Sequence, residues 1–175
     1  KVVKVLLKLN KQKEFLVLEK EIDKELMEFP KSSFLHNLKG SCLSNLNKFD
    51  ESLISFNSAL ISAKNPEVIV NNIGVIQIKL NKLEEALKSF NKAIEFKADY
   101  AEPHFNLGHT LRKLRRVEDA LRSYESALKI KPDYAKAILY KSLTLKNLGN
   151  FDDSINSCKK TIQLQPDYGI AHRHL

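Results

Sequence analysis

The segment from Ala101 to Tyr134 recurs with substitutions 34 residues upstream and 34 residues downstream, and a fainter copy lies 68 residues upstream. A fixed period of that length constrains the fold before any composition is considered. One supersecondary unit is stacked on the next, and each unit buries its apolar face only against its neighbours. Laid over one another, the copies place Gly40, Gly74 and Gly108 in a column with Ser142. A second column holds Phe56, Phe90, Tyr124 and Cys158, and a third the small residues Ala59, Ala93, Ala127 and Thr161.

Each copy reads as two helices. The first carries apolar residues at helical spacing, as in Phe105, Leu107, Leu111 and Leu114, with Gly108 allowing close approach of a neighbour. A two-residue turn follows: Asn47-Lys48, Asn81-Lys82, Arg115-Arg116 or Gly149-Asn150. The acidic pairs Asp50-Glu51, Glu84-Glu85, Glu118-Asp119 and Asp152-Asp153 then fall in the first turn of a second helix, where negative charge complements the unpaired N–H groups. That helix buries a stripe such as Ala120, Leu121, Tyr124, Ala127 and Leu128 before Pro132, or Pro166 one unit on, stops it.

These columns resemble the tetratricopeptide repeat, whose pattern is Leu-Gly in the first helix, then Ala and an aromatic in the second, then Pro. Leu107-Gly108, Ala120, Tyr124, Ala127 and Pro132 match it most closely, while Lys141-Ser142 replaces Leu-Gly. The resemblance implies an all-α fold, a right-handed α-solenoid of antiparallel helix pairs forming a superhelix. Units are expected at 33–66, 67–100, 101–134 and 135–168. Residues 1–32 read as a degenerate first unit, with Val5, Leu6 and Leu9 on one helix and Phe15, Leu18, Ile22 and Leu26 on the other. Residues 169–175 begin a further or capping helix, so the whole of 1–175 reads as a single array.

No run of apolar residues approaches the ~20 that a spanning helix requires, so no membrane role is expected, and the compartment expected is the cytoplasm. Cys42 and Cys158 are far apart, lack metal-ligand spacing and read as core thiols. A net charge of +8 raises nucleic acid as a partner, but the basic residues are scattered over both faces of every unit. Without a basic stripe interleaved with exposed aromatics, that reading is disfavoured.

Catalysis finds no support either. His36, His104 and His172 recur at twice the period, which marks a packing column, and no acid is placed to orient them. His172 and His174 point to different sides of a helix, which argues against a metal pair. No catalytic residue, cofactor or metal is therefore expected.

What remains is a surface. The resemblance implies that first helices line a concave side, which places Phe34, Asn37, Asn71, Asn72, Val75 and Lys79 there from the earlier units. Phe105, Asn106, His109, Arg112 and Lys113 follow from the third, then Lys136, Leu139, Tyr140 and Leu143 from the fourth. Asn72 and Asn106 are in register one repeat apart, and an amide both donates and accepts, which suits the backbone of an extended peptide. From Lys79 onward cations outnumber acids, so the expected ligand is an acidic protein or peptide segment. The carboxylate clamp of the family's chaperone-binding members is not matched, because Asn37 or Asn71 stands where a lysine is required. Val75, Ile78 and Leu143 also offer an apolar surface for self-association. The closing run from Ala171 to Leu175 resembles arrays that precede sulfotransferase or glycosyltransferase domains, which adds substrate recruitment for a transferase as an alternative.

Overall fold

In the computed structural model, which describes residues 2–174, the backbone enters the left-handed region at Lys13, Asn47, Asn81, Arg115 and Gly149, with φ between 59° and 81°. These positions are one period apart, so the degenerate first unit keeps the same turn as the others. At each, the residue after it donates its N–H back five residues, as from Lys48 to the Leu43 carbonyl (2.9 Å) and from Arg116 to the Leu111 carbonyl (2.9 Å). The left-handed residue itself bonds three back. Two helix carbonyls that would otherwise lose their partners are thereby satisfied, and the chain is reversed.

Among the described residues the elements are eleven helices and no strand. They are α1 (Val2–Gln12), α2 (Phe15–Glu28), α3 (Ser33–Asn45), α4 (Phe49–Leu60), α5 (Pro66–Lys79) and α6 (Leu83–Phe96). Then follow α7 (Ala101–Lys113), α8 (Val117–Ile130), α9 (Ala135–Asn147), α10 (Phe151–Leu164) and α11 (Gly169–His174). Lys1 and Leu175, the outermost residues of the first and last expected segments, lie outside the described residues. No described helix is long and apolar enough to cross a membrane.

The chain divides into two compact units between Glu85 and Ala86, within α6. The first contains α1 to α5 and the second α7 to α11. In each, first and second helices pack as antiparallel pairs: α1 with α2 and α3 with α4, then α7 with α8 and α9 with α10. The acidic pairs stand in the first turns of α4, α6, α8 and α10 as expected. In α2 their place is taken by Leu16 and Val17, both exposed.

Packing inside each pair turns on the glycine and aromatic columns. A methyl group on Gly40 would meet the Phe56 ring at 2.7 Å, and one on Gly108 would meet the Tyr124 ring at 2.8 Å. Either contact is shorter than carbon atoms tolerate. Where the small residue is lost, the large one is lost with it. Leu6 and Ile22 fill the two columns in the α1–α2 pair, and Ser142 and Cys158 fill them in the α9–α10 pair, all of them buried. The α1 stripe differs from expectation, since Leu6 is buried and Val5 is exposed.

The histidine column also has a structural occupation. Nε2 of His36, His104 and His172 lies 2.8, 3.1 and 2.7 Å from the carbonyl six residues back, at Pro30, Ala98 and Pro166. Each ring fastens the turn that precedes its helix. In the alternate copies the column is filled by Val70 and Ile138, both buried. Of the two thiols, Cys42 bonds the Phe15 carbonyl at 3.1 Å, and burial first, then Glu19, push its pKa up to about 11. Such a thiol is a core group and a poor nucleophile.

Candidate functional site

In the first unit, α3 and α5 bring amides together. Asn72 Nδ2 faces Asn37 Oδ1 at 3.5 Å, half-buried. Lys79 reaches the Ser44 hydroxyl at 3.2 Å, and its ammonium lies 5.0 Å from the centre of the Phe49 ring. Beside the amides a cleft of about 400 Å³ opens between the starts of α3 and α5, with the exposed rings and methyls of Phe34 and Val68 at its edges. Asn71 is buried, with 6% of its surface exposed, and takes no part in this face. Val75 is half-buried.

In the second unit, four residues expected on an open surface pack against one another. Phe105 lies 5.5 Å from Tyr140, edge to face, and His109 lies 5.2 Å from the same ring in the same arrangement. The Arg112 guanidinium stands 5.3 Å from the Tyr140 ring centre. Tyr124 from α8 and Tyr134 from the turn before α9 complete the cluster, at 5.8 and 5.2 Å from Phe105. His109 Nδ1 and Arg112 Nε are shielded and find no hydrogen-bond partner in the chain, so ring contacts and the stacked cation hold the cluster.

This environment shifts the ionisable groups. Burial, then Arg112 and Lys113, bring the His109 pKa down to about 4, so its ring is neutral at neutral pH. Burial raises the Tyr124 hydroxyl well above the usual phenol range, and burial together with Glu102 pushes Tyr134 up to about 12. The cluster is a neutral aromatic floor with one cation laid on it.

On the same two helices Lys113 and Lys136 are exposed and Asn106 is half-buried. Leu139 departs from the expected surface: it is fully buried against Cys158 and Ala171. Leu143 packs half-buried on the same cluster. Tyr134 was legible only as a turn residue, although Tyr100, Tyr134 and Tyr168 form a column whose regularity signals a packing role.

Family models of the TPR repeat match residues 74–115, and models of the tetratricopeptide repeat match residues 101–134 and 135–168. No curated protein sequence matches the chain. Among solved structures, MamA superposes with a TM-score of 0.78 at 17% identity, over 93% of this chain and 95% of that one. YrrB, described as a TPR protein with an unusual peptide-binding site, gives 0.72 at 20% identity, over 98% and 89%. PilF of Pseudomonas aeruginosa gives 0.82 at 15% identity, over 97% and 77%. At such identities the likeness establishes the fold. The resemblance to arrays that precede transferase domains gains no support from these matches.

Proposed function

The chain belongs to the tetratricopeptide repeat family, and from that premise we propose that its function is non-catalytic capture of an extended, acidic segment of another protein on the inner columns of its first helices. The observation that carries this reading is the arrangement on α7 and α9. A packed floor of Phe105, His109 and Tyr140 holds Arg112 in place, and on the same two helices Lys113 and Lys136 are exposed, against the single acid Glu102. A fixed cation loses little freedom when it meets a carboxylate, and flanking lysines draw such a ligand in over distances near the Debye length. Within the first unit taken by itself, the Asn37 and Asn72 amides offer donors and acceptors suited to a peptide backbone.

The test uses labelled acidic peptides titrated against the chain in low and high salt. Lys113→Glu with Lys136→Glu, both at exposed positions, is expected to weaken binding at least tenfold at low salt and to flatten its salt dependence. Peptide affinity indifferent to the charge reversal would defeat the acidic-ligand reading.

A further inference from the structure

Three clefts on this chain are copies of one another. One in the first unit is lined by Glu19, Lys39, Leu43, Lys48, Glu51 and Ile54. Adding 68 to those numbers gives Leu87, Leu107, Leu111, Arg116, Asp119 and Arg122, which line a cleft of about 400 Å³ in the second unit. A further step of 34 gives the third, among whose lining residues are Leu121, Lys141, Leu145 and Asp153. In each, a second helix, the first helix that follows it and the next second helix form the walls. Because the backbone frame repeats, differences among the three report what the side chains do.

The outer two are locked across. In the first, Lys39 bonds Asp23 at 2.6 Å and Lys48 bonds Glu19 at 2.8 Å. In the third, Lys141 bonds Glu125 at 2.9 Å, the same pair of columns as Lys39 and Asp23. Their lining charges balance, two lysines against two carboxylates. In the middle cleft those columns hold Asn91 and Leu107, which form no ion pair, so no bridge crosses it. Its floor is apolar, from Leu87, Ile94, Leu107 and Leu111. Its rim carries Arg116 and Arg122, both bonded to Asp119, with Arg116 Nη2 at 2.7 Å from the carboxylate. Two arginines against one aspartate leave the lining with an excess positive charge. The two guanidiniums are held toward one point, and each has further N–H donors beyond those Asp119 engages.

We propose that this middle cleft, between α6, α7 and α8, is a second binding site, separate from the inner columns, for a protein segment in which a leucine-sized side chain is flanked by a carboxylate. The apolar side chain enters between Leu87 and Leu107, and the carboxylate takes the free donors of Arg116 and Arg122. The charge excess selects an acidic flank over a neutral one, and the open floor separates this cleft from its two bridged copies.

The probe is a fluorescein-labelled peptide, acetyl-Ser-Glu-Leu-Glu-Leu-Ser-amide, titrated against the full chain. The decisive variant, Asn91→Glu with Leu107→Lys, writes into the middle cleft the ion pair that its copies already carry, and helicity by circular dichroism checks that the fold is kept. Affinity is expected to fall at least tenfold. Arg116→Gln with Arg122→Gln is expected to do the same and to remove most of the salt dependence, and a peptide with glutamine in place of glutamate is expected to bind at least tenfold more weakly. Unchanged affinity in the bridged variant overturns the proposal. So does loss of binding on Lys113→Glu with Lys136→Glu while the cleft variants bind normally, a result that would put the peptide on the inner columns and leave the function proposed above standing.

Discussion

Ser142 Oγ lies 2.9 Å from Cys158 Sγ, at the place where Gly40 meets Phe56 and Gly108 meets Tyr124 in other copies of the repeat. A larger residue in the first helix is matched by a smaller one in the second, and Ser154 joins them through a 3.2 Å contact between hydroxyls. The interior accepts a fixed volume at this crossing, divided differently between the two helices.

That relationship makes single restorations harmful. Cys158→Phe alone should drive its ring into Ser142 and cost about 1–3 kcal/mol of stability. Adding Ser142→Gly should recover most of the loss, so that urea midpoints of the two singles and the double show coupling. Additive effects would mean that the columns do not share one space.

Arg115 occupies the left-handed turn with φ of 62°, where Gly149 stands one period later. A side chain pays for that conformation and glycine does not, so Arg115→Gly should stabilise the protein by about 1 kcal/mol. Urea or thermal unfolding would check it, and a fall in stability would show that the Arg115 side chain makes compensating contacts.

His109 predicts a pH dependence with a definite sign. Its pKa in the folded chain, about 4, lies below the ordinary 6.5, so between those values the unfolded chain binds more protons than the folded one. Stability should therefore fall as pH is lowered from about 6.5 to about 4. His109→Gln should flatten that part of the curve, read from unfolding midpoints at several pH values, and a variant curve parallel to the parent's would contradict the assignment.

Removing a turn fastener should loosen the turn it holds. His36→Ala takes away the 2.8 Å bond to the Pro30 carbonyl, at an expected cost of about 1 kcal/mol. Faster amide exchange around Ser32 and Ser33 would localise the effect, and unaltered exchange there would argue that the ring matters only for packing.

The helix pairs were readable because equivalent positions in successive copies share one environment. Contacts between neighbouring first helices were not, and the reason is geometric. Equivalent residues point the same way, so they cannot face each other across two helices, and the partner lies about 100° further round, one residue on. Asn37 meets Asn72, Ser44 meets Lys79 and Phe105 meets Tyr140, each pair 35 apart and not 34. Column alignment names Asn37 and Asn72 for the same face without bringing them into contact. It also takes Leu139 for a surface residue, although Leu139 is buried in one cluster with Cys158 and Ala171.

A span of 35 residues in a chain of 175, common to these three contacts, bears on how the molecule assembles. Little of the chain must be drawn together before a contact yields its reward, so closing each loop costs little entropy and contact order is low. Such a chain can begin folding at more than one helix pair and extend from there, and partial opening at one pair need not release the rest.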